Sequence, residues 1–245
     1  MSSSITSIKT RIKSINSTKK ITGAEALVRW IHPEVGIIPP NAFIPIFEKN
    51  NFITDLDMYV FEKACIFLRK CMDQGIPLVP VSTNFSRFDI VQPNFIENIE
   101  EIRQRVNVPV DKIRIEITES AVVEGSEYIN FIVKKLKSYG YVVEMDDFGT
   151  GYSSLNVLKD INFDILKLDM KFMSNEQSNE RGRTILASVV GMTSNLKMAI
   201  IAEGVESESQ ADFLHEIGCD TIQGYLYSKP ISEEDYINKL KENLV

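Results

Sequence analysis

"YVVEMDDFGTGYSSL", residues 141–155, is the stretch on which the fold turns. It begins as a short apolar run and ends in a loop of small residues. Between them sit two adjacent acids, Asp146 and Asp147. Successive side chains of a strand point to opposite faces, so neighbouring carboxylates cannot share one side of a regular strand. The expected solution is a strand over 141–146 that ends between the two acids. Asp146 is then the last strand residue, and Asp147 already lies in the turn. Gly149 and Gly151 follow, where the backbone can take angles other residues avoid. That leaves 148–154 as a mobile loop.

The same pattern recurs along the chain. Short runs rich in Val and Ile, bounded by Gly, Pro, Asp or Asn, mark strands at 21–28, 78–85, 112–118, 163–169, 198–203 and 220–225. Residues 5–15 supply an eighth candidate. Helical spacing fills the gaps. In 54–74, Leu56, Tyr59, Val60, Ala64, Phe67, Leu68 and Cys71 recur at i, i+3 or i+4. Helices are also expected at 127–140, 181–196 and 208–218, the first and last ending in glycine. Strands alternating with helices predict a parallel sheet. Eight strands in 245 residues match a TIM-like (β/α)8 barrel in a single domain. The rival, an open doubly wound sheet for a dinucleotide, lacks a Gly-rich turn after its first strand.

Composition narrows the chemistry. The net charge of −7 argues against binding of DNA or RNA duplexes and against a basic membrane surface. No apolar run approaches the ~20 residues of a membrane-spanning helix. The basic N-terminus lacks the apolar core of a signal peptide, so a cytoplasmic location is expected. The three cysteines, Cys65, Cys71 and Cys219, form no CxxC and read as buried apolar residues. Two histidines give little support to a His-rich metal site or a Ser-His-Asp hydrolase.

Barrel enzymes place their chemistry at the C-terminal ends of strands. Those ends carry Glu25 with Arg29 beyond it, Asn84, Glu116 with Glu119, Asp146 with Asp147, Lys167, Glu203 with Glu206, and Gln223. Singly, each reads as a solvated cap or a salt-bridge partner. Together, five carboxylates inside otherwise apolar strands would be very costly uncompensated. Oxygen-only donors suit hard cations such as Mg²⁺ or Mn²⁺. Two such ions and Lys167 supply +5 against the −5 of Glu25, Glu116, Asp146, Asp147 and Glu203. A neutralised two-metal floor suits phosphodiester hydrolysis.

"EALVRW" (25–30), "NFS" (84–86), "EITES" (116–120), "DDFGTGYSSL" (146–155), "DILKLD" (164–169), "AEGVE" (202–206) and "QGYLYSKP" (223–230) resemble the motifs of the EAL-domain cyclic di-GMP phosphodiesterases. The resemblance covers about residues 20–232, in the family's order. It implies a barrel whose first strand is antiparallel to the rest. It implies cleavage of cyclic di-GMP to linear pGpG with Mg²⁺ or Mn²⁺, two ions per site, and a homodimer formed near the loop after the double acid. The family's metal ligands fall on Glu25, Asn84, Glu116, Asp146, Asp147 and Glu203. Lys167 matches the lysine that holds the catalytic water, with Lys167 and Glu203 both candidates for the proton acceptor. Arg29 matches a contact to substrate phosphate, Glu119 the anchor of the active-site loop, and Gln223 a polar group near the metals. Glu206 is a further candidate for substrate contact.

One departure stands out. The family's first strand reads roughly Tyr-Gln-Pro-Ile, where this chain has "TRIK" (10–13). Arg11 thus replaces a substrate-binding glutamine. The divergence has three readings: one of little effect, one of altered affinity, and a chain start altered by truncation. The second leaves room for a module that binds cyclic di-GMP with little or no turnover. Another metal-dependent barrel enzyme, enolase-like, is a further reading of function.

Overall fold

A computed structural model of the chain describes residues 5–15, 18–123, 126–149, 158–170 and 180–242, with the backbone alone at 5–14, 123 and 126. All eight expected strands form. They are β1 (Ile5–Ile15), β2 (Ile21–His32), β4 (Val81–Phe85), β5 (Ile113–Thr118), β6 (Val142–Phe148), β7 (Ile165–Asp169), β8 (Ala199–Glu203) and β9 (Thr221–Gln223). A ninth, β3 (Gly36–Ile38), folds back as a hairpin on the far end of β2.

The order around the sheet is β1-β9-β8-β7-β6-β5-β4-β2, and pairing of β1 with β2 closes the ring. From β2 through β9 every barrel pairing is parallel. β1 is antiparallel to both neighbours, as expected of the first strand. Arg11 pairs with Glu25 across this seam, and Lys13 with Gln223.

The outward faces of the strands are apolar and fully covered. Ile113, Ile115 and Ile117 on β5, Val143 and Met145 on β6, and Leu166 and Leu168 on β7 are buried. They pack under the surrounding helices, so the hydrophobic core is a ring between barrel and helices. The helices are α1 (Pro40–Lys49), α2 (Ile53–Asp73), α3 (Arg87–Ile90), α4 (Phe95–Val106), α5 (Glu119–Val123), α6 (Ser126–Ser138), α7 (Glu180–Asn195), α8 (Glu208–Glu216) and α9 (Glu233–Glu242). α2 shows why they dock: Leu56, Val60, Ala64, Phe67, Leu68 and Cys71 form one buried stripe. Truncating a side chain such as Ile117 to Ala would cost about 2–5 kcal/mol. The three cysteines are free and buried, as read from the sequence.

Two starts carry reciprocal caps. The Ser86 and Ser207 side chains accept backbone N–H groups of Asp89 and Gln210, and those side chains accept back. One close approach needs glycine. A Cβ at Gly224 would fall 2.0 Å from the Val205 carbonyl oxygen, and this corner joins the ends of β8 and β9.

Candidate active site

The inner faces of the same strands are polar, whereas a barrel interior of this type is ordinarily packed with branched apolar residues. Strand alternation brings Glu25, Asn84, Glu116, Asp146, Lys167, Glu203 and Gln223 to one level at the C-terminal end of the barrel.

Lys167 is the centre. It has no exposed surface, yet its Nζ lies 2.8 Å from Glu203 and 3.0 Å from both Glu116 and Asp146. Glu25 stands 4.0 Å away. The amide nitrogen of Asn84 donates to Glu25 at 2.9 Å. The amide nitrogen of Gln223 donates to Glu25 at 2.7 Å and to Glu203 at 3.1 Å. Two amides therefore fix the carboxylates from the sides while the ammonium holds them from the middle.

Charge does not balance within this cluster. Among the described residues one ammonium faces four carboxylates, which leaves −3 when all are ionised. Burial and then the neighbouring acids drive the Asp146 carboxyl well above its ordinary value, against the pull of Lys167. Burial likewise lifts Glu203 to about 7. Burial opposes the Lys167 ammonium, and Asp146, Glu116, Glu203 and Glu25 outweigh it, holding its pKa well above the usual lysine value. The site has a lysine that keeps its proton and acids that accept further positive charge.

The donors fit a metal. One oxygen each from buried Glu25, Glu116 and Asp146 lies within 4.8 Å of the others. All are carboxylate oxygens, with the Asn84 amide beside them, which is the donor chemistry of Mg²⁺ and Mn²⁺. Nothing in this set favours a soft metal.

The double acid differs from expectation in one respect. The strand does not end between Asp146 and Asp147 but runs to Phe148, with a register shift against β7 between Met145 and Phe148. This bulge does what termination was expected to do. Asp147 takes φ 57°, a conformation uncommon outside glycine and tolerated by Asp. Its N–H donates to the Asp146 carboxylate at 2.9 Å. Asp147 is exposed and stands outside the Glu25–Glu116–Asp146 group, on the wall of the neighbouring cavity. Next to it, the Gly149 N–H donates to Glu119 at 3.0 Å, and Gly149 sits at φ 98°. Residues 150–157, including Gly151 and most of the expected mobile loop, lie outside the described residues.

That cavity, about 480 Å³, opens beside the acid cluster and is lined by Arg29, Asn84, Ser86, Thr118, Ser120 and Asp147 among others. Arg29 is half-buried and donates to the Val28 carbonyl at 2.8 Å. Glu206 is exposed after β8, and its N–H donates to Gln210. Arg11 is placed only by its backbone register opposite Glu25; what its side chain meets lies outside the described residues.

Sequence reasoning missed two features. Glu144 is fully buried on the inner face, one strand step below Asp146, and pairs with Arg114 at 3.0 Å. The alternation Glu144–Asp146 was the available signal. Asp57 on α2 and Asp89 on α3 meet at Ser86; they lie far apart in sequence, and no local pattern joins them.

The comparisons agree with this geometry. The EAL domain family matches residues 12–230. The chain is 32% identical over 215 residues to the bifunctional diguanylate cyclase/cyclic di-GMP phosphodiesterase MucR of Pseudomonas aeruginosa, covering 88% of this chain and 31% of that protein. It is 31% identical over 218 residues to the cyclic di-GMP phosphodiesterase RocR of the same organism, covering 89% of this chain and 55% of that protein. A solved structure of the PaMucR phosphodiesterase in complex with c-di-GMP superposes with a TM-score of 0.88 at 30% identity, covering 94% of this chain and 93% of that one. The chain thus spans less than two thirds of either curated relative. Its closed barrel, single antiparallel strand and acid-ringed lysine, together with a match over most of its length, show that it belongs to the EAL domain family.

Proposed function

We propose that this chain is a divalent-metal-dependent phosphodiesterase that hydrolyses cyclic di-GMP to linear pGpG. The observation that carries this reading is the convergence of four buried carboxylates on Lys167, beside an open cavity that holds Arg29. The printed activities of MucR and RocR support it.

In this reading Glu25, Asn84, Glu116, Asp146, Asp147 and Glu203 hold two ions, Mg²⁺ or Mn²⁺. When bound, such ions supply Lewis acidity at the phosphoryl group and lower the pKa of water. The remaining work falls to the chain. Lys167 stays protonated among its acids and donates hydrogen bonds that orient the attacking water. Arg29 neutralises phosphate oxygen charge, with Arg11 and Glu206 contacting other parts of the substrate. Gln223 holds Glu25 and Glu203 at fixed separation. Glu203, held by Lys167 and Gln223 beside the other acids, is the carboxylate that takes the proton of the attacking water. Glu119 fixes the backbone at Gly149 and with it the start of the following loop. Homodimerisation near that loop is part of the proposal, and light scattering after gel filtration tests it.

The central test is chromatography of cyclic di-GMP incubated with the purified chain and Mn²⁺ or Mg²⁺. Prompt pGpG is expected, lost on chelation and in Glu25→Gln. Binding without product would assign a binding module instead, and no binding would overturn the proposal.

A further inference from the structure

One charged pair inside the barrel has no place in the reading above. Arg114 and Glu144 face inward from adjacent strands, with 3.0 Å between Nη1 and Oε1. Glu144 is fully buried, and the Arg114 side chain is 19% exposed. Their position relative to the acid cluster is set by register. Arg114 is two residues below Glu116 on β5, and Glu144 two below Asp146 on β6. Glu116 and Glu144 are direct partners across the two strands. Two strand residues span about 7 Å, so Arg114 lies one layer beneath Glu116, while Glu144 lies one layer beneath Asp146 and directly beside Glu116.

Their contact is poor as a structural tie. The Nε of Arg114 is buried with no hydrogen-bond partner among the described residues. A buried ion pair with an unmet donor gives little net stability and is often matched by apolar residues of similar volume. Its electrical effect is another matter. Inside the barrel, a unit charge about 7 Å away acts on a divalent ion with little screening from solvent.

We propose that the Arg114–Glu144 pair sets the metal affinity of the site, each of its charges offsetting the other next to Glu116 and Asp146. This rests on the metal-dependent reading of the site. Loss of Arg114 leaves an extra negative charge next to the ligands. Loss of Glu144 leaves an extra positive one. The two losses therefore move metal affinity in opposite directions, which a role in packing alone would not do.

Calorimetric titration of the full chain with Mn²⁺ tests this. Arg114→Gln should tighten Mn²⁺ binding about tenfold or more, and Glu144→Gln should weaken it by a similar factor. The double variant Arg114→Gln/Glu144→Gln should return to within about threefold of the parent, as should the charge-conserving Arg114→Lys. If Arg114→Gln does not fold, the contrast between Glu144→Gln and the double variant decides: failure of the double to recover affinity overturns the proposal. Equal or same-direction shifts in the single variants overturn it while leaving the metal site standing. Absence of Mn²⁺ binding by the unaltered chain overturns both.

Discussion

Two groups of carboxylates in this molecule, one buried at the barrel mouth and one partly buried beside it, are held in different ways. At the barrel mouth, Glu25, Glu116, Asp146 and Glu203 surround an ammonium. Between α2 and α3, Asp57 and Asp89 surround a serine. Both accept the Ser86 N–H, at 3.1 and 3.0 Å, and Asp89 also accepts its hydroxyl. Burial first, then the hydrogen bond to Asp89, drives the Asp57 carboxyl well above its ordinary value. The second group is held by donors of Ser86, with the Asp57 carboxyl pushed towards its protonated form. Among the described residues the first carries more negative charge than its lysine matches, which suits an incoming cation. Burial alone does not make an acid functional; what differs is whether its charge is already satisfied.

The most severe way to break this contrast is Lys167→Met. It removes the ammonium that contacts four buried acids and should destabilise the metal-free chain by about 3–5 kcal/mol. Hydrolysis should disappear. Added Mn²⁺ should restore the melting temperature by a larger margin than in the parent, which differential scanning calorimetry would read. A Tm that is unaffected with or without metal would mean the acids are not electrostatically coupled.

Glu119→Ala separates holding the loop from holding the metal. It removes the acceptor of the Gly149 N–H, a loss of about 1–3 kcal/mol at that turn. Hydrolysis should fall about tenfold to a hundredfold. Mn²⁺ affinity should stay within a few-fold, because Glu119 is outside the Glu25–Glu116–Asp146 group. An equal loss of both would place Glu119 with the ligands.

The Asp57–Asp89 pair gives a gentler test with a definite sign. Asp57 has a folded pKa above its unfolded value, so its contribution to stability is complete below about pH 4. That contribution is lost as pH rises through the raised folded value. Asp57→Asn keeps a donor towards Asp89 and cannot ionise. It should raise Tm at pH 7–8 by about 2–4 °C, equivalent to about 1 kcal/mol, with a smaller gain at pH 4. A loss at neutral pH would show that Asp57 is ionised. The smallest effect belongs to Tyr236, whose hydroxyl is buried with no partner among the described residues and carries no charge. Tyr236→Phe should match or slightly exceed the parent in thermal stability, within about 1 kcal/mol. A larger loss would reveal a hidden partner.

Much of the barrel was legible because each inner strand announces itself by a charged residue interrupting an apolar run. "EIT" at 116–118 and "LKLD" at 166–169 read as strands and as site at once. Some elements with neither that signature nor a clear helical spacing are not legible. α1 carries Pro45 inside it, which masks a helical pattern, and β3 is three residues long. The bulge at Asp146–Asp147 was read as a strand end because sequence shows the conflict between neighbouring acids, not which backbone solution resolves it. Helix α6 stops at Ser138, close to where Gly140 signalled its end.

By itself the sequence determined the alternation of elements, the identity of the clustered acids and the hard-cation chemistry of their oxygens, because these follow from side-chain period and residue type. Tertiary structure decided which of those acids touch Lys167, that Asp147 faces the cavity instead, and that Arg114 meets Glu144 next to them. Those are distances between strands far apart in the chain. They depend on how the barrel closes and on the stagger of its strands, which residue order alone does not state.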